Sequence, residues 1–93
     1  MVLKEILSGL LFRIDGKREF TEYSMTELQK ISEKSIELIE SKNPESESLI
    51  GLKLALELSD QYHKSNKNTD ITNIMEVLRL VKYGIEQFLE TEY

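Results

Sequence analysis

The sequence has 93 residues, 40% of them hydrophobic and 31% charged, with no cysteine and a net charge of −5. That is the composition of a single globular domain rather than of a disordered or membrane-spanning chain, and it excludes disulfides and thiolate metal sites. The charge is uneven, +1 over residues 1–20, −4 over 21–48, 0 over 49–70 and −2 over 71–93, so no basic face exists for a phosphate backbone and nucleic acid is not an expected partner.

The first helix is expected over residues 2–14, where Val2, Leu3, Ile6, Leu7, Leu10, Leu11 and Ile14 share one face and Lys4, Glu5, Ser8 and Arg13 the other. Gly16 follows as a left-handed stop. Phe12 lies off the apolar face, where it either tucks under the following loop, the favoured reading, or stays exposed. The stretch has the length of a secretory apolar region, but Glu5 interrupts it and no small-residue cleavage site follows, so it reads as part of the mature fold. No run approaches the roughly 20 apolar residues that span a bilayer, and a cytoplasmic location is expected.

Ser24-Met25-Thr26-Glu27 is a capping box, with Tyr23 and Leu28 at the spacing of a hydrophobic staple. It opens a second helix over 25–42 that turns Leu28, Ile31, Ile36, Leu38 and Ile39 inward, with Ser32 and Ser35 between them permitting close helix approach. Pro44 disfavours helical geometry at Asn43 and suits the first position of a new helix. Asn43 is therefore read as the N-cap of a third helix over 44–64, with Glu45 and Glu47 in its first turns, where the helix dipole favours negative charge.

That third helix is the unusual one. Its strongly polar members Lys53, Glu57, Asp60 and Lys64 fall in one narrow stripe, so its apolar arc exceeds the roughly 100° of an ordinary surface helix. It is expected to be the most buried element, with a surplus patch for dimerisation as the competing account. Gly51 in its interior costs about 1 kcal/mol against alanine, which a close helix crossing would offset. Tyr62, on the apolar arc, needs a polar partner for its hydroxyl. Ser65 to Thr69 is loop by composition. Thr69 or Asp70 then starts a fourth helix over 70–90, whose stripe runs through Ile71, Ile74, Met75, Leu78, Val81, Ile85, Phe88 and Leu89, with Leu80 and Tyr83 outside it. Four helices on short loops make an all-α, antiparallel four-helix bundle in one domain, residues 1–93.

Chemistry is scarce. His63 is the one histidine, at a helix end where a cation suits the dipole, and no cysteine is present to act as nucleophile. Asp60-x-x-His63 has the spacing of a bundle metal ligand pair, but Asp60 lies on the solvated stripe and inward-facing glutamates are lacking. No glycine-rich phosphate loop occurs, and the small polar face of the first helix carries few of the cations that favour a membrane surface. No enzyme activity, cofactor or metal is expected. What remains is an acidic belt, Glu33, Glu37 and Glu40 along one helix face, extended by Glu45 and Glu47, with Tyr83 as a nearby apolar contact. It reads either as a solubilising face weakly paired to Lys30 and Lys34 or as a surface that docks on a basic protein.

In size, charge and helical content the chain is similar, at the level of class, to immunity proteins that neutralise antibacterial toxins. The resemblance implies a protein-binding inhibitor of immunity or antitoxin type, working through the acidic belt on a partner with a basic surface. The alternative is a structural or regulatory module that assembles through apolar helix surfaces, as a homodimer or with a partner helix in a groove. Its candidates are the third helix, Leu80, Tyr83 and Phe12.

Overall fold

The computed structural model describes residues 3–15 and 23–92; Val2 and the stop expected at Gly16 lie outside them. Four helices follow one another, α1 (Leu3–Asp15), α2 (Met25–Lys42), α3 (Ser48–Lys64) and α4 (Ile71–Thr91). Among the described residues there is no strand.

Two helix starts are fixed by the side chains that announce them. Ser24 is extended (φ −113°, ψ 151°), and its Oγ accepts from the Glu27 N–H at 3.1 Å. Asp70 does the same for α4, its Oδ1 accepting from the Thr72 N–H at 2.8 Å. Each cap satisfies a backbone donor that the first turn cannot.

The start of α3 differs from the expectation, lying at Ser48 instead of Pro44. The reason is a competition for Asn43. Its N–H donates to the Ile39 carbonyl at 2.8 Å, so it closes α2, and its extended backbone (φ −150°, ψ 95°) is what a residue before proline prefers. Its side-chain Oδ1 accepts from the Glu45 N–H at 3.1 Å, and its carbonyl accepts from the Ser46 N–H at 3.1 Å. Asn43 to Ser46 is thus a turn with Pro44 at its second position, a geometry proline presets as readily as a helix start. Ser46 then takes over the capping, its Oγ accepting from the Ser48 N–H at 3.2 Å. At the other end of α3, Asn66 adopts a left-handed φ of 59°. The Lys67 N–H reaches the Tyr62 carbonyl and the Asn66 N–H that of His63, the paired bonds of a Schellman stop.

Cross-links between ends give the directions. The Tyr23 hydroxyl donates to the Ile14 carbonyl at 2.8 Å, tying the end of α1 to the start of α2. Lys53, early in α3, pairs with Glu40, late in α2, at 3.0 Å. The Tyr62 hydroxyl donates to the Glu76 carboxylate, so late α3 meets early α4. Consecutive helices are therefore antiparallel, as expected of a bundle on short loops. All four contribute to one core, in which Leu7, Leu28, Ile39, Leu52, Val77, Ile85 and Phe88 are fully buried, each contributing about 1.5–3 kcal/mol on the apolar-transfer scale.

The two most extensive helix pairings, with α4 and with α2, both belong to α3. The bundle closes on it, as its wide apolar arc implied. Only one side of that arc is used, however: Leu49, Leu52 and Ala55 are buried while Ile50 is 73% and Leu54 45% exposed. The close crossing expected at Gly51 is elsewhere too. A Cβ at Gly51 would meet the Leu80 carbonyl oxygen at an ordinary 3.9 Å, whereas one at Gly84 would lie 2.7 Å from Leu52 Cγ and 3.3 Å from the Ser48 oxygen. Two smaller expectations also fail. Phe12, 76% exposed, is not covered, and Ile6, at 37%, sits at the edge of the buried face of α1.

Candidate functional site

The structure divides the residues expected to bind a partner between two surfaces and the turn between them. Glu33, Glu37 and Glu40 line a shallow groove between α2 and α3, with Ile36, Ser41 and Leu56. Glu33 and Glu37 are exposed. Two of the three carboxylates have cations beside them, Glu40 with Lys53 at 3.0 Å and Glu37 with Lys34 at 3.9 Å. Exposed pairs of this kind contribute little to stability, but each partly neutralises the charge its carboxylate would offer a newcomer. Glu45 is exposed in the turn after α2. Glu47 and Tyr83 belong to the other surface.

That surface is the outer side of the α3–α4 pair. Ile50, Leu54 and Leu58 follow one another at one-turn intervals along α3, on the side that α4 flanks. The Leu80 backbone lies against Gly51, and Leu80 shares a groove of about 560 Å³ with Leu54, Leu58, Met75, Glu76 and Arg79. Tyr83, one turn beyond Leu80, is 67% exposed. Its neighbour Gly84 faces Leu52 and Ser48, which sets Tyr83 beside the first turn of α3. Exposed large apolar residues are ordinary when scattered; here Ile50, Leu54 and Tyr83 are exposed along the α3–α4 pair, with the half-buried Leu58 and Leu80 between them, and it is clustering that marks an interaction surface. Glu76 and Arg79 line the groove, and Glu47, Glu57 and Glu90 are exposed on the same two helices or at the α3 start. The sequence offers Glu47 and Tyr83 for the acidic reading and the apolar arc of the third helix, Leu80 and Tyr83 for the apolar one, but neither their meeting across two helices nor Glu57, Glu76, Arg79 and Glu90 beside them.

A polar cluster at one end of the bundle had no sequence signal. The Glu92 carboxylate accepts from Asn43 Nδ2 at 2.9 Å, from the Ser46 hydroxyl and from the Ser48 hydroxyl at 3.2 Å. The bond from Ser46, joined by those from Asn43 and Ser48, holds its carboxyl below the usual carboxylate range, against a smaller opposing effect of burial. This is a clamp of the α2–α3 turn onto the end of α4. Tyr62 is the reverse case: its bond to Glu76 stabilises the protonated phenol and raises its pKa. Both are local fits between helices.

Among the described residues the buried polar side chains are all serines, Ser32, Ser35, Ser46, Ser48 and Ser59, and no group of acids or histidines is placed to hold a metal. Asp60, the carboxylate spaced three before His63, pairs instead with Lys64 at 3.0 Å. No described helix is long and apolar enough to cross a membrane. No protein-family model matches the chain, and no curated protein and no solved structure matches it significantly.

Proposed function

We propose that this protein works by binding another protein, as an inhibitor of immunity or antitoxin type, and that its contact is centred on the outer α3–α4 face. The observation that carries this reading is the exposure of Ile50, Leu54 and Tyr83 along the α3–α4 pair, where Leu54 lines a groove with Leu58 and Leu80. Desolvating such side chains in a shared pocket is where interface energy concentrates. The acidic residues have a different task. A net charge of −5, with Glu33 and Glu37 exposed on α2, attracts a cationic partner at a distance and raises the association rate, while the apolar face fixes it. Inhibition needs nothing more from the bound chain than to cover the partner's working surface.

The experiment is affinity capture from the native host with the tagged chain, followed by binding measurements on what is captured. Leu54→Lys with Tyr83→Ala is expected to abolish retention at an unchanged melting temperature. Glu33→Gln with Glu37→Gln is expected to slow association and weaken its salt dependence. Retention that survives the apolar pair contradicts the assignment of the face. A second reading, assembly of the chain with itself, draws on the same patch, and sedimentation at high concentration distinguishes the two.

A further inference from the structure

We infer that what lies on the α3–α4 face is an amphipathic helix of a different, basic protein; the inference rests on the docking reading above and adds the form and charge of the segment that docks. The form follows from the shape of the surface. Ile50, Leu54 and Leu58 span nine residues of α3, about 12 Å at a rise of 1.5 Å per residue, and Leu80 and Tyr83 lie on the neighbouring helix. Apolar side chains one turn apart on two adjacent helices, with the Leu54, Leu58, Met75 and Leu80 groove between them, match the anchors a helix presents at successive turns. An extended segment would need a sheet edge to pair with, and the described elements are all helices. A polyproline segment needs an aromatic-lined groove, and here Tyr83 stands with aliphatic neighbours.

The charge follows from the rim. Glu76 and Arg79 line the groove itself; by helical spacing the exposed Glu47 and Glu57 fall on the side of α3 that carries Ile50, Leu54 and Leu58, and the exposed Glu90 lies two turns beyond Tyr83 on α4. A second copy of this chain would bring the same carboxylates against themselves, and like charges across an interface disfavour the pairing. A helix with Leu-type anchors on one stripe and Lys or Arg beside them meets the centre and the rim together. The neutral core and the acidic rim thus select against self-association and for a cationic helix.

The test uses a fluorescein-labelled synthetic peptide of about four helical turns, with leucines at i, i+4 and i+7 flanked by Lys and Arg. Its comparators are a scrambled peptide of the same composition and a peptide with Glu in the flanks. Anisotropy should rise on titration with the intact protein, for the basic amphipathic peptide alone. Leu54→Lys should weaken binding about tenfold or more, and Glu57→Gln with Glu90→Gln a few-fold, with a shallower salt dependence. Equal binding of the scrambled or Glu-flanked peptide, or indifference to Leu54→Lys, overturns the inference. So does a dimer in sedimentation that Leu54→Lys dissolves, since the face would then be filled by a second copy. The captured native partner separates this from the docking reading. If Leu54→Lys releases that partner while the peptide fails to bind, the helix is wrong and the face stands; if the partner is retained, the face itself is wrong.

Discussion

Gly84 lies so close to Leu52 that a methyl group in place of its hydrogen would be 2.7 Å from Leu52 Cγ. Leu52 is wholly buried, and the Ser48 carbonyl oxygen closes the other side at 3.3 Å. Glycine here sets the distance between the two helices that carry the candidate face. Gly84→Ala should cost about 1–3 kcal/mol by overpacking, read as a lower urea midpoint at constant slope. Gly51→Ala is the control, because its methyl group would meet Leu80 at contact distance. It should gain up to about 1 kcal/mol from helix propensity. If the two substitutions behave alike, the packing described for α3 and α4 is wrong.

Ser35 and Ser32 make a second pair of opposites. Both are fully buried in α2, but the Ser32 hydroxyl donates to the Leu28 carbonyl at 2.8 Å, while Ser35 Oγ has no hydrogen-bond partner among the described residues. A buried hydroxyl without a partner retains its desolvation cost. Ser35→Ala should therefore stabilise the protein by about 1 kcal/mol, and Ser32→Ala should not. Thermal melts of the two variants side by side decide the point.

The Glu92 clamp makes a pH prediction with a definite sign. Its carboxyl titrates lower in the folded chain than in the unfolded one, so the clamp contributes fully above the unfolded carboxylate range and is lost as pH falls through the lowered folded value. Glu92→Gln should melt below wild type at neutral pH, and the gap should close in acid. Were the gap to widen in acid, the hydrogen bonds from Ser46, Asn43 and Ser48 would not be what holds the turn.

Much of this fold could be read from local chemistry. Ser24 and Asp70 mark helix starts because a side-chain oxygen three residues or fewer from an unsatisfied N–H acts within the sequence itself. Asn43-Pro44 was misread because proline fits a turn as well as a helix start, and the bond from Asn43 to Ile39 depends on the helix before it. The Glu92 clamp joins groups more than 40 positions apart, beyond any periodicity. The breadth of the α3 apolar arc was legible, but which part of it meets solvent was not. Leu52 and Leu54 are the same residue type two positions apart, and only the places of α2 and α4 decide that one is buried and the other is not.

The exposed side chains themselves allow a stability prediction. Ile50→Ser removes an apolar group that the folded chain leaves largely in water, at 73% exposure, and Leu54→Ser one left about half in water, at 45%. Each should change unfolding free energy by well under the 2–5 kcal/mol typical of a core truncation, whereas Leu52→Ala should lose that full amount. Chemical denaturation checks this, and a large loss from Ile50→Ser would mean that the side chain is packed rather than presented.

We place a bound partner on the outer α3–α4 face. The most direct measurement is a methyl-resolved NMR titration of the labelled protein with its captured partner. Shifts and line broadening confined to the methyls of Ile50, Leu54, Leu58 and Leu80, with Leu7 and Leu28 unmoved, are the predicted result. A perturbation centred on α1 and α2 that leaves Ile50 and Leu54 unchanged would contradict it.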